Sequence, residues 1–386
     1  MSRRNKQQEQ AERTLLELLR NELWGVPLLF DELSHEAFRA VISLAGKQAV
    51  VGLVGQSLIS NSVKLDKRDI ALLSRTMKEL TEQSQKADQN TSGFAGFLDR
   101  KGVKYVIVKG QTLAALYPHP ELRSPGDIDI YCPGEDFEKA KQLVEDKLQI
   151  SLSKHNEKSK HVEFEANGVL YELHDVLLTW VDKKKQSYWN ALVDTVMNER
   201  PATVSVNEVQ VRTLDITCNV LYTFVHMFFH LVSSGVGLRQ LCDCAVILHS
   251  AASEKSNNGI GAIGEFEPEK LRDMLETLGL FKAYKAVGSF LVEELGLPGK
   301  EFPFALDGTD KRWGKRIKKN VLARGNFGKY GRSVKNMGLW HSVESAWLLA
   351  KQGITFGMLA PREVFLRSSI LGFVYLDSLK SKIHKS

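Results

Sequence analysis

The stretch from Val106 to Ile130 constrains this chain more than any other. Tyr105-Val106-Ile107-Val108 is a short β-branched run that stops at Lys109-Gly110, and Ile128 to Cys132 is a second, introduced by Pro125-Gly126. Side chains alternate faces along a strand, so Asp127 and Asp129 project together while Ile128 and Ile130 point into a core. Two carboxylates sharing one edge repel each other unless a cation sits between them, and hard oxygen ligands select Mg²⁺ or Mn²⁺. Gly110 ends the first strand and begins a helix through Leu113 to Leu116. It lets backbone approach a bound group and leaves N–H donors at a helix start for phosphate.

The surrounding sequence supplies the frame. Leu15, Leu16, Leu18, Leu19 and Leu23 recur at the helical period, and a second such segment runs from about His35 to Ile59. The polar run Ala87 to Ser92 follows, where Asp88, Asn90 or Thr91 is suited to cap a helix carrying Phe94, Phe97 and Leu98. Strands begin only after it. A helix from about Glu135 to Leu148 precedes two strand-like runs, His161 to Ala166 and Val169 to Leu173, joined by the hairpin signal Asn167-Gly168. Val204, Val206, Val209 and Val211 suggest another hairpin turning at Asn207-Glu208. Helical patterns return from Asp215, through Thr217–Leu231, Leu238–His249 and Pro268–Leu295, and a last helix opens at Pro361 with Val364, Phe365, Leu371, Phe373, Val374 and Leu376 as its core face. The expectation is an α+β fold with a small mixed sheet between helical regions: an N-terminal helical region at 1–88, a catalytic core at 89–214, a helical domain at 215–300 and a basic helical region at 301–386.

Composition enters where charge and cysteine bear on function. The net charge of +6 is local: residues 311 to 335 hold ten basic side chains and no acidic one, which leaves the rest of the chain at −4. Trp313, Phe327, Tyr330 and Trp340 interleave with them, a pattern that suits nucleic acid, but a solvated helix face is the commoner outcome of a charge run. Four cysteines, Cys132, Cys218, Cys242 and Cys244, are no disulfide framework in so long a chain and point to a reducing compartment. Met1 to Arg13 is polar, with no apolar signal-peptide stretch, and Val220 to Val232 is too short to span a bilayer, so a cytoplasmic protein without a transmembrane segment is expected.

Lys109-Gly110-x-x-Leu113-Ala114-x-Leu116-Tyr117-Pro118, followed by Arg123-x-x-Gly126-Asp127-Ile128-Asp129-Ile130, resembles a known pattern. It is similar to that of the DNA polymerase β-like nucleotidyltransferase superfamily, and more closely to its large, mostly uncharacterised bacterial branch. Tyr171-Glu172-Leu173-His174 is similar to that branch's acidic-hydrophobic-His strand, and His226-x-x-x-His230 with Leu238-Arg239-x-x-Cys242-Asp243 to its later helical segment. The likeness runs from about residue 30 to 250. It implies transfer of a nucleoside monophosphate from a nucleoside triphosphate to an acceptor hydroxyl, with two divalent ions, Mg²⁺ or Mn²⁺, held by Asp127, Asp129 and a third acid that activates the acceptor. Glu172 fits the third position, with Glu163 and Glu165 as competitors. Lys109, Gly110, Gln111, Thr112 and Arg123 are the expected nucleotide contacts. The superfamily carries Gly-Ser or Gly-Gly at the turn, whereas Gln111 and Thr112 follow Gly110 here, so either the Thr112 hydroxyl or the backbone alone meets the phosphate.

Other readings weigh on particular residues. Glycosyltransferases also use Asp-x-Asp with a divalent ion, but they build a nucleotide-binding βαβ half before the motif, and helices precede the strands here. A degenerate transferase fold that binds without turnover is the other alternative, with Gln111 its best argument. His226, His230, Cys242 and Cys244 have some of the spacing of a zinc site, but Cys-x-Cys is a poor zinc knuckle and histidines on an apolar helix face are expected in the core. Arg239 and Asp243 are four apart, as in an intrahelical ion pair, with a contribution to the nucleotide pocket as the alternative. His174 is as well suited to a backbone hydrogen bond as to catalysis. The acceptor is expected to be a small molecule or protein rather than nucleic acid.

Overall fold

The computed structural model describes residues 3–152, 161–252, 263–326 and 339–366. Helix α1 (Arg3–Trp24) buries the leucines named above. The periodic segment after it forms two helices, α2 (His35–Gln48) and α3 (Val51–Ser60), because Ala49 adopts φ 56 and its N–H closes on Ala45 and Gly46 carbonyls. The polar run at 87–92 is not a boundary: α4 (Lys67–Arg100) passes straight through it. Several of its polar groups are bonded within the fold, although the buried Thr91 hydroxyl has no partner among the described residues. The Ser92 hydroxyl donates to the Asp88 carbonyl, the Asp88 carboxylate accepts from Gln111, and Asn90 Oδ1 accepts from the Tyr171 hydroxyl.

The sheet then builds from β1 (Val106–Val108), helix α5 (Gly110–Ala114), β2 (Ile128–Tyr131), helix α6 (Glu135–Leu148), β3 (His161–Ala166) and β4 (Val169–His174). Its order is β1-β2-β4-β3, with β2 and β4 parallel and the outer pairs antiparallel, which is the expected small mixed sheet in an α+β fold. One face carries Ile128, Ile130, Val162, Phe164, Tyr171 and Leu173 into a core completed by Ala95 and Leu98 of α4 and Phe137, Ala140 and Val144 of α6. The other carries Asp129, Glu172 and His174.

Helix α7 (Lys183–Glu199), which the sequence pattern did not reveal, leads to the hairpin β5 (Ala202–Val206) and β6 (Val209–Thr213), paired separately from the main sheet. Helices α8 (Ile216–Val232), α9 (Leu238–Ala252), α10 (Pro268–Thr277), α11 (Phe281–Glu293), α12 (Gly308–Arg324) and α13 (Leu339–Phe356) follow. They share with α1–α3 a second core that receives Val106, Val108 and Tyr131 from the sheet. The expected 268–295 helix is broken at Gly279, whose φ of +67 suits glycine. Residues 361–366 are helical, with Val364 buried but Phe365 71% exposed, so Phe365 is not part of the core. Leu371, Phe373, Val374 and Leu376 lie outside the described residues. No helix among the described residues is long and apolar enough to cross a membrane.

Candidate active site

A cleft of about 450 Å³ opens where the polar sheet face meets α8 and α9. Strand pairing assembles its floor. The parallel register sets Asp129 beside Glu172, and Asp127 precedes β2 by one residue, so one carboxylate oxygen from each of the three lies within 4.8 Å of the others. Glu163 is the cross-strand partner of Glu172 and lines the cleft farther out, while Glu165 is opposite Leu170 and lines a different depression. Of the three candidate third acids, only Glu172 joins the aspartate pair in a common ligand set among the described residues.

The charges around this trio are unequal. Lys109 Nζ lies 2.9 Å from Asp129 Oδ1 and donates to His226 Nε2 at 3.0 Å. His174 Nε2 lies 3.1 Å from Asp129 Oδ1 and 3.3 Å from Glu172 Oε2. Burial pushes the Asp127 carboxyl up to about 6, helped by the Asp129 charge. Burial acts upward on Asp129 too, but the Lys109 ammonium and the His174 hydrogen bond hold it well below the usual carboxylate range. The hydrogen bond from His174 lowers Glu172 against burial. Burial, then the Lys109 charge, depresses His226, which therefore accepts from Lys109 as a neutral ring.

The turn after β1 is strained. Lys109 has φ 59 and ψ −147, a region that strongly favours glycine, and Gly110 follows at φ +46. The buried contacts of the Lys109 ammonium fix this conformation from its far end. Gln111 and Thr112 are buried and do not line the cleft. The Gln111 amide donates to Asp88, and the Thr112 hydroxyl donates to the Lys109 carbonyl at 2.7 Å. Arg123 lines the cleft, but two of its nitrogens are committed: Nε and Nη2 meet Asp243 Oδ1 and Oδ2 at 2.7 and 2.9 Å, and the Tyr117 hydroxyl donates to Oδ1 at 2.7 Å. Asp243 thus pairs with Arg123, whereas Arg239 Nη1 donates to the carbonyls of Ser124 and Pro125 at 3.2 Å. The spacing rule that suggested an Arg239–Asp243 pair yields to a bidentate partner brought in from the loop before β2.

Of the α8–α9 wall, sequence reasoning offered only Arg239 and Asp243 as possible pocket residues. Thr223, His226, Met227, His230, Arg239 and Gln240 line the cleft, and His226, expected in the core, is a direct partner of the site lysine. Its signals were a histidine pair four residues apart, which core packing explains equally well, and a family resemblance that assigned it no role. All four cysteines are buried and free. The oxygen-only donor set fits a hard divalent cation at Asp127, Asp129 and Glu172.

Three carboxylates spaced so that they could hold a divalent cation, at the polar face of a small mixed sheet, are walled by helices and flanked by Lys109 and Arg123. Residues 34–261, more than half of the chain, match the family described as uncharacterised nucleotidyltransferase, and the chain belongs to that family. A crystal structure of an antigenic nucleotidyltransferase-like protein from Paracoccidioides brasiliensis is similar over 50% of this chain and 86% of that one, at 13% identity and a TM-score of 0.32. That likeness is too low to support the fold assignment, which rests on the strands themselves. No curated protein matches this chain at a significant level.

Proposed function

We propose that the protein is a divalent-metal-dependent nucleotidyltransferase that moves a nucleoside monophosphate from a nucleoside triphosphate to an acceptor hydroxyl. The observation that carries this reading is the convergence of Asp127, Asp129 and Glu172 within 4.8 Å on the cleft floor. Two bound Mg²⁺ or Mn²⁺ ions would clamp the attacking and leaving oxygens of an in-line displacement. Lys109 and the Gly110 backbone lie where phosphate oxygens would meet cation and N–H donor. Arg123, braced by Asp243, supplies positive charge at the opposite wall. Glu172, kept ionised by His174, takes the acceptor proton as the new phosphorus–oxygen bond forms and the bond to the pyrophosphate oxygen breaks. Pyrophosphate departs with its electron pair.

The acceptor is a small molecule or protein in this reading. Trp313, one of the aromatics interleaved with the basic segment, is buried against the helical core and offers no face for base stacking.

Calorimetric titration with nucleoside triphosphates, with and without Mg²⁺, tests the reading. Binding should require the cation and be lost in Asp127→Asn with Asp129→Asn, while Glu172→Gln should keep most binding and lose transfer of labelled nucleotide by about two orders of magnitude or more. Metal-dependent binding that survives the double substitution would sink it, and an active Glu172→Gln with a dead Glu163→Gln would move the base to β3.

A further inference from the structure

A second set of ligating donors adjoins the acid trio, and it is not made of oxygen alone. The antiparallel register of β3 and β4 places His161 opposite His174 and Glu163 opposite Glu172. Alternate residues share a face, so two imidazoles and two carboxylates form a square on the side of the sheet that bears Asp129. One ligand atom each from His161, Glu172 and His174 falls within 4.8 Å of the others, the two rings are 5.3 Å apart, and His161 Nε2 lies 3.1 Å from Glu163 Oε1. Among the described residues these three and the acid trio are the two groups of such donors, and Glu172 belongs to both.

Donor chemistry separates the two positions. Three carboxylates suit Mg²⁺, which holds oxygen and gives up water reluctantly, whereas two imidazoles and a carboxylate suit Zn²⁺ and its neighbours in the first transition row. A tetrahedral ion with bonds near 2.1 Å spaces its donors about 3.4 Å apart, so side-chain shifts of roughly an ångström close this set. Charge points the same way: the cleft is lined by five carboxylates, those of Asp127, Asp129, Glu163, Glu172 and Asp243, and by three cationic side chains, Lys109, Arg123 and Arg239, an excess of negative charge that a bound cation relieves.

We propose that His161, Glu172 and His174 hold a transition-metal ion of the Zn²⁺ class beside the all-oxygen position, with Glu172 bridging the two and Glu163 orienting His161. The site shares Glu172 with the proposed transferase centre, but it rests on the strand register and not on nucleotidyl transfer. The two metal positions differ in kind: one exchanges with Mg²⁺, the other does not.

Co²⁺ reports on this directly. Metal-free full-length protein titrated with CoCl₂ under a large excess of Mg²⁺ should retain a single Co²⁺ per chain, with visible d–d absorption. His161→Ala should weaken that binding by at least about tenfold, and Asp127→Asn should leave it nearly unchanged. His161→Cys should restore it and add a thiolate-to-cobalt charge-transfer band in the near ultraviolet, which only direct ligation produces. Complete displacement of Co²⁺ by Mg²⁺, unchanged affinity in a folded His161→Ala, or bound Co²⁺ in His161→Cys without the new band would each overturn the proposal. Co²⁺ retained by a protein that binds no nucleoside triphosphate would leave this site standing and remove the transferase reading; the converse result would do the reverse.

Discussion

Asp127 and Asp129 stand two residues apart and are pushed in opposite directions, and that difference sets how the site answers to pH. Asp129 has the Lys109 ammonium and His174 against it, so it stays ionised well below the ordinary carboxylate range. Asp127 has burial and the Asp129 charge against it and rises from 3.8 to about 6. A carboxyl raised by folding favours the protonated folded state. Its contribution to stability is full below its unfolded pKa and is lost as pH climbs through about 6. His174, raised by its hydrogen bonds to Asp129 and Glu172 against the effect of burial, adds a loss of the same sign above its ordinary 6.5. The lowered Asp129 and Glu172 lose their contribution only at more acid pH. The metal-free protein therefore carries its largest uncompensated charge at neutral pH, where a divalent ion relieves it. Thermal unfolding with and without Mg²⁺ should show a small shift in Tm near about pH 5 and a larger one near about pH 7.5. Asp127→Asn should flatten that pH dependence; a shift equal at both pH values in the unmutated protein would contradict the assignment.

Turn chemistry decides the strand elements, and it was the most legible part of the chain. Asn167 and Gly168 join β3 to β4 with φ of 52 and 64, and Asn207 and Glu208 join β5 to β6 with φ of 48 and 64, both left-handed at each central position as a type I′ hairpin requires. Glu208 is exposed and is the wrong residue for its place. Glu208→Gly should stabilise the protein by about 0.5–1 kcal/mol in urea unfolding, because the left-handed penalty for a side chain outweighs the added chain entropy of glycine. A destabilised variant would show that the Glu208 side chain contributes something the backbone does not explain. Such turns could be read in the sequence because their physics is complete within four residues. The polar run in α4 could not: Asp88 and Asn90 resemble caps until Gln111 and Tyr171 arrive from the sheet to bond them. His226 was misread for the same reason, since its partner Lys109 is 117 residues away. The acid pair and its glycine turn were legible as motif, and Glu172 through the resemblance. The wall opposite them exists only through packing.

At the scale of the whole molecule, the sheet and the helical body are joined through the cleft by buried charge. Arg123 and Asp243 meet there with side chains 6% and 7% exposed, and Lys109 reaches His226 of α8, so the fastening and the proposed site are one structure. The basic surface lies elsewhere. On α12, Trp313, Gly314, Ile317, Val321 and Leu322 are buried, which leaves Lys311, Arg312, Lys315, Arg316 and Lys319 on the exposed face. Several of these charges are already engaged: Lys311 with Glu293 at 2.8 Å, the partly buried Lys318 with Glu294 at 2.7 Å, and Arg316 over the Trp313 ring at 4.9 Å. Lys329, Arg332 and Lys335, with Phe327 and Tyr330, lie outside the described residues. If this face tracked a phosphate backbone, single-stranded RNA would bind with a salt slope of about 0.7 per neutralised phosphate on a log–log scale. If it solvates a helix that packs by its other side, replacing Lys315, Arg316, Lys318 and Lys319 with Gln should leave the protein folded, with the largest cost at the partly buried Lys318–Glu294 pair and about 0–1 kcal/mol at each exposed position. The second outcome is expected, with folding and nucleotide binding retained in the four-Gln variant. Fluorescence anisotropy on the unmutated protein makes the decision: sub-micromolar, salt-sensitive RNA binding that disappears with the four substitutions would make this helix a nucleic-acid surface and turn the search for the acceptor toward RNA.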